Sequence, residues 1–334
     1  MRRILVLVLV AAAVSAGLAG CSDDDRLTVY SGRTKNLVGP LLDRFSDETD
    51  TPVAVRYGDS AELALLIEQE GDRSPADVFL SQSPGGLSLL ADGDHLARLP
   101  EDVLDVVGED VRSGDGRWVG LSGRVRTLVY NTDLVDEAEL PDSVFDLTGA
   151  DFEGKVGVAP TNGSFQDFVT AMRSTEGDDA TLAWLRAMAE NDSPVFADNT
   201  AIVSAVARGE VEMGLVNHYY NEVQRREDPD SPTENHFFED GDVGSLVLVA
   251  GTAVVDGTAH GDDAEALVEF LLSEESQRFF SDETFEYPLA AGVPAPEGLP
   301  PFDSLGARTV DFDDLGGDLG RTQELLDQSG LQGT

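Results

Sequence analysis

Two adjacent tyrosines, Tyr219 and Tyr220, carry the sharpest chemical signal in this chain. A phenolate is a hard oxygen donor suited to Fe(III), and tyrosine ligates iron in catalase. A free phenol ionises only near pH 10, so a strongly charged cation, aided by nearby positive groups, must hold it as phenolate at neutral pH. Consecutive strand residues point to opposite faces, so both rings reach one ion only where a strand ends and the backbone turns. Met213 to Val216 reads as such a strand, and it runs straight into Asn217-His218-Tyr219-Tyr220. Taken alone, a tyrosine pair also describes one core ring beside one surface ring.

Other polar groups are sparse enough to be informative. Arg33 follows an early strand, and Ser122-Gly123-Arg124-Val125-Arg126 leads into an apolar run. An arginine fork grips carboxylate or carbonate through two parallel hydrogen bonds, although a salt bridge is the plainer use of any one arginine. The four histidines form no metal pattern. His95, His236 and His260 sit in polar loops and read as exposed, while His218 faces either a ligand or the core. Asp59, Glu62, Glu68 and Glu70 read as a solvated helix face. Zinc-protease, phosphate-loop and nucleophile-elbow motifs do not occur, and nothing argues for catalysis.

The elements that must position these groups alternate strand with helix. Leu27 to Tyr30, Val53 to Tyr57 and Ala76 to Leu80 read as strands. Between them, Leu37, Val38, Leu41, Leu42 and Phe45, then Leu63, Leu66 and Ile67, recur at helical spacing. The rhythm returns at Lys155 to Ala159, in a helix through Phe168, Met172 and Leu182 to Met188, and in the strand before the tyrosines. Two such units in series predict an α/β chain of two lobes, each a mostly parallel sheet flanked by helices. Thr127 to Tyr130 and Gly244 to Val255 are the two candidate crossover strands and hinge. The lobes are expected at 27–123 plus 250–298 and at 124–249 plus 299–334. Ligands of open α/β sheets bind outside the carboxyl ends of the strands. The turns Ser31–Thr34, Ser81–Ser83, Thr161–Ser164 and Asn217–Asn221 are therefore expected to line one cleft, and these turns hold no carboxylate.

Sixty-four acids against 22 bases give a net charge of -42, with Lys35 and Lys155 the only lysines. Such a surface repels nucleic acid and anionic lipid. The acids are spread along the chain, as whole-proteome adaptation to salt or to a high-GC genome would leave them. The N-terminus reads as an export leader over residues 1–20: Arg2 and Arg3, an apolar run from Ile4 to Val14, then Leu18-Ala19-Gly20-Cys21. Leu-Ala-Gly-Cys looks like a bacterial lipobox, which would lipidate Cys21, the only cysteine, and make 21–26 a tether.

In chain order, several segments are similar to one family. They are Val29-Tyr30-Ser31-Gly32-Arg33, Gly71 to Phe79, Gly120 to Arg124 with Val129-Tyr130-Asn131, Pro160 to Phe165, Asn217 to Tyr220, Gly241 to Ser245, and Glu286 to Leu289. Together they resemble the periplasmic ferric-iron-binding proteins of ABC importers, in the two-lobed type II periplasmic-binding-protein fold. The resemblance implies Fe(III) as cargo, held by Tyr219 and Tyr220 with carbonate or another synergistic anion. Arg124, Thr161, Asn162, Gly163, Ser164, Asn199 and Asn217 match the anion positions. Family members add a histidine or tyrosine, and a glutamate, where this chain has Thr34 and Ser81; a third tyrosine falls at Phe165. Arg33, Thr34, Ser81 and His218 remain as possible cleft residues.

The resemblance also implies an ABC permease and its ATPase as partners for a monomer lipid-anchored on the extracytoplasmic side of the cell membrane. The competing expectation is a related importer component with a non-metal cargo such as a phosphonate, sugar phosphate, thiamine or polyamine.

Overall fold

The computed structural model describes residues 26–306 and 319–332. The leader, Cys21 and most of the expected tether lie outside the described residues. In chain order the elements are β1 (Leu27–Ser31), α1 (Lys35–Thr49), β2 (Val53–Tyr57), α2 (Ser60–Glu70), β3 (Val78–Ser81), α3 (Pro84–Asp92), α4 (Glu101–Leu104) and β4 (Val119–Asn131). Then come β5 (Val156–Gly157), α5 (Gly163–Glu176), α6 (Asp178–Glu190), α7 (Asn199–Ala207), β6 (Met213–Asn217), α8 (His218–Glu227), β7 (Thr233–His236) and β8 (Val247–Val254). The chain finishes with α9 (Gly261–Leu272), α10 (Glu274–Thr284), β9 (Tyr287–Pro288) and α11 (Leu319–Ser329). No helix among the described residues is long and apolar enough to cross a membrane.

Strand order is β2-β1-β3-β8-β4-β6-β5, with β7 and β9 also paired to β4. β4 is the spine. Its residues 119–125 pair antiparallel with β8, whereas 126–130 pair with β6 and β7. The partner change between Val125 and Arg126 divides the molecule into two lobes. One core gathers Leu27 to Val125 with Val247 to Leu305. The second lobe has apolar faces on both sides of its sheet. Leu128 and Tyr130 point into one cluster, and Val129 into the other, as the two-residue period of a strand requires.

The α/β class and the two lobes match the expectation, with differences in detail. The sheets are mixed rather than mostly parallel: β2-β1-β3 and β5-β6 are the parallel runs, and the crossing strands enter antiparallel. The first crossover is all of β4, so Thr127 to Tyr130 already lies in the second sheet. The second begins at Val247, after a 3-10 turn at Val243–Ser245. The single helix read from Phe168 to Met188 is two, broken at Gly177, whose φ of 86° suits glycine. Lys155 to Ala159 keeps only a two-residue strand. His95, His236 and His260 are half-buried rather than exposed, and His236 Nε2 reaches Pro141 O at 2.7 Å. The C-terminal helix is longer than Arg321 to Leu326, and Leu325 and Leu326 are buried in the second core.

Candidate functional site

Three helices of the second lobe begin at one place, and each start treats its side chains differently. Asn162 caps α5, accepting from Ser164 N at 3.1 Å, and Asp198 caps α7, accepting from Ala201 N at 2.8 Å. Asn217, the N-cap residue of α8, makes no capping bond; its Oδ1 instead accepts from Arg126 Nη1 at 3.3 Å. Asn199 Nδ2 donates to Ser164 Oγ at 3.0 Å and to Asn162 Oδ1 at 3.1 Å, tying α7 to α5. Arg126 Nη1 lies 3.5 Å from both Ser164 Oγ and Asn199 Oδ1. Converging helix N-termini carry partial positive charge, and with a guanidinium among them the local field favours an anion.

Arg126 is buried, with its guanidinium over Phe165 and Phe168 at 6.0 and 5.4 Å from the ring centroids. Its Nε and Nη2 have no hydrogen-bond partner, and neither do Asn217 Nδ2, Arg124 Nε or Gln82 Oε1. Buried polar atoms are almost always satisfied, so five orphans on residues of one region mark a surface shaped for a ligand. Burial lowers the Arg126 pKa to about 10, with Tyr220, Asp167 and Tyr219 pulling it back up, so it is a cation at neutral pH.

Tyr219 and Tyr220 occupy the first turn of α8 rather than a turn between strand and helix. Their rings stack with centroids 4.2 Å apart and planes at 29°, which sets the two hydroxyls beside one another. Burial pushes the Tyr219 phenol well above 10, with Tyr220 adding to the rise and Arg124 opposing it. Two phenol oxygens on stacked neighbouring rings, next to two arginines, can chelate one cation of high charge, whose field would displace the protons. Among the described residues no group of three or more His, Cys, Asp or Glu could hold a metal.

The remaining expected residues divide sharply. Arg124 approaches the site from β4, and its Nη2 donates to Gln82 O, joining the crossover to the Ser81–Ser83 turn. Thr161 and Gly163 are exposed on the α5 turn. Arg33 does not face the cleft. It is buried, its Nη2 donating to Glu286 Oε2 at 2.7 Å and its Nη1 to Ser122 Oγ at 3.3 Å. The Ser-Gly-Arg turn draws it inward because Gly32 packs on Ser60, where a Cβ would stand 1.9 Å from Oγ. Thr34 is exposed and bonded to Asn36, and the Ser81 hydroxyl donates to Ser83 O at 2.5 Å.

His218 belongs to the core. Nδ1 accepts from Val125 N at 3.1 Å and Nε2 donates to Phe285 O at 2.7 Å, so neither nitrogen is left for a metal. Burial lowers its pKa to about 4, which keeps the ring neutral.

Glu286 is a buried partner that sequence reasoning passed over. Burial alone would raise its carboxyl, but Arg33, Arg124 and a 2.6 Å bond from Ser122 pull it below the ordinary carboxylate range. Glu286→Gln is expected to destabilise the protein by about 3–5 kcal/mol, because it strands a buried guanidinium. Urea unfolding measures this, and a change under 1 kcal/mol would place the pair among inert surface bridges. Since the folded pKa is depressed, the wild-type contribution holds at neutral pH and fades as acid carries the pH down through that value.

Arg126 was named beside Arg124 without being placed in the anion site, and Asp167 was passed over. Arg126 was legible, since it shares the strand parity of Arg124 and so the same side of β4. Asp167 lies one helical turn beyond the α5 start, outside the turns where a carboxylate was sought. Burial raises its pKa to about 6 against the pull of Arg124 and Arg126, with Asp59 adding to the rise.

The chain matches the family model of a bacterial extracellular solute-binding protein over residues 73–305. It is 33% identical to the major ferric iron-binding protein of Neisseria meningitidis serogroup B, covering 99% of this chain and 100% of that one. Among solved structures it is similar to iron-bound HitA of Pseudomonas aeruginosa, with a TM-score of 0.83 and 33% identity over 92% of this chain and 99% of that one. It is also similar to the Trichodesmium protein IdiA (FutA) in complex with iron and citrate, with a TM-score of 0.80, 28% identity, and coverage of 92% and 99%.

Proposed function

This chain belongs to the bacterial extracellular solute-binding protein family and has its two-lobed type II fold, and from that premise we propose that its cargo is ferric iron. Tyr219 and Tyr220 donate two phenolate oxygens, and a synergistic anion, carbonate or a carboxylate such as citrate, bridges the metal to Arg126, Asn199, Asn217 and the Asn162–Ser164 turn. The observation that carries this reading is the stacked tyrosine pair at 4.2 Å beside a buried arginine whose Nε and Nη2 are unpartnered. The ferric iron named for the Neisseria relative supports it. Arg124 supports the anion side through its charge while holding the Gln82 turn.

The role is solute capture rather than catalysis, with delivery to an ABC permease powered by its ATPase. Lobe 1 is taken as 27–123 plus 250–298 and lobe 2 as 124–249 plus 299–334, hinged on β4 and β8. Titration with ferric nitrilotriacetate in bicarbonate buffer should produce a visible phenolate-to-iron band at one ion per chain. Small-angle scattering should show compaction over the same titration. A protein that stays colourless and instead binds a phosphonate or sugar phosphate takes the non-metal reading.

The lipobox reading tethers this protein outside the cell membrane through Cys21. Cys21→Ser is expected to move the protein from the membrane fraction to the soluble one. Unchanged membrane retention would remove the anchor.

A further inference from the structure

Asp167 sits on α5 three residues beyond Ser164 and one before Phe168, and residues three and four apart share a helix face. Ser164 Oγ lies 3.5 Å from Arg126 Nη1, and the Phe168 ring centroid lies 5.4 Å from the same guanidinium. The face that carries 164, 167 and 168 is therefore the one turned to the site. Asp167 feels the charges of Arg124 and Arg126, and also that of Asp59, which caps α2 in the other lobe.

An acid placed for structure closes its salt bridges. Asp178 does so, with Arg173 at 2.9 Å and Arg321 at 2.6 Å. Asp167 forms no ion pair within 4.0 Å of either arginine whose field it shares. A carboxylate held near two guanidinium groups without touching them leaves room for something between. Fe(III) is hard and takes anionic oxygen donors, and two phenolates with one anion do not complete its shell. Neither Thr34 nor Ser81 fills the gap: one is exposed and bonded to Asn36, the other is turned to Ser83 O.

We propose that Asp167 is a third protein ligand to the ferric ion of the Tyr219–Tyr220 site, donating a carboxylate oxygen from the first turns of α5. The assignment rests on the ferric reading above. It moves the carboxylate of the site to the second lobe, so that phenolates, carboxylate and anion pocket all belong to one lobe. Iron then loads on that lobe first, and the other lobe closes over it.

The test compares the wild type with Asp167→Asn and Asp167→Glu, each titrated with ferric nitrilotriacetate in bicarbonate and then challenged with citrate. Asp167→Asn should lose iron to citrate about 10- to 100-fold more readily. Its visible band should move to longer wavelength, because a ferric ion short of one anionic donor accepts phenolate charge at lower energy. Asp167→Glu should recover part of both. A weakened variant with an unmoved band would mean that Asp167 acts through charge alone, which overturns ligation. Wild-type affinity and colour in Asp167→Asn would overturn it too, leaving the ferric reading intact; a colourless wild type removes both. Asp167→Asn should melt with the wild type in the absence of iron, and a large fall would reveal a structural role and sink the assignment.

Discussion

Tyr219→Phe and Tyr220→Phe should each lower ferric affinity by about a hundredfold or more and bleach or shift the visible band. Each substitution removes one oxygen and keeps the ring, so the 4.2 Å stack and the α8 start that depend on ring packing survive. Stability should therefore change little while binding collapses. The remaining donors cannot compensate, because Thr34 and Ser81 are committed elsewhere and both His218 nitrogens are bonded to backbone. The wild type should also lose iron in acid. The Tyr219 phenol is held well above its ordinary value by burial, so iron must displace a proton from it. One displaced proton costs about tenfold in apparent affinity per unit fall in pH, and the Tyr219→Phe slope should be shallower by that amount. Spectrophotometric titration at several pH values reads affinity, band and slope together. Wild-type colour and slope in both variants would end the ferric reading.

Much of the architecture could be read from periodicity because each signal is local. Val38, Leu41, Leu42 and Phe45 are all buried on α1, as their spacing requires, and β6 runs into the tyrosines where its apolar run ends. The start of α8 at His218 was not legible. Its first residues are poor helix formers, and Asn217 makes no capping bond that would announce a helix. The break at Gly177 was hidden because apolar spacing continues across it from Met172 to Leu182.

The fate of Arg33 illustrates a different limit. Its partner Glu286 stands 253 residues away, so no local pattern could separate a cleft arginine from a buried ion pair. His218 is decided in the same way, by Val125 N and Phe285 O, 93 and 67 residues away. Side-chain commitment is decided by contacts that folding alone brings together. Arg126 and Asp167, in turn, lay one strand step and one helical turn from residues already singled out.

Arg126→Met should move binding and stability in opposite directions. The wild-type guanidinium is buried with Nε and Nη2 unpartnered, and its burial lowers the pKa to about 10. A buried guanidinium with two unpartnered nitrogens carries a desolvation cost that an apolar side chain of similar volume does not. Met keeps contact with Phe165 and Phe168 and forfeits the cation–ring attraction at 5.4 and 6.0 Å together with the long Nη1 contacts to Asn217, Ser164 and Asn199. Without iron the variant should therefore melt higher than the wild type. With iron it should lose the bicarbonate dependence of binding and release the metal about 10- to 100-fold more readily. Arg124→Ala should have the smaller effect on anion dependence, because Arg124 spends Nη2 on the Gln82 carbonyl. A thermal melt of the iron-free protein and a citrate challenge with and without bicarbonate give both signs in one set of samples. If Arg126→Met keeps its bicarbonate dependence while Arg124→Ala loses it, the anion sits on Arg124 after all. If Arg126→Met melts lower as well, the orphan nitrogens of Arg126 are not a standing cost of the binding site.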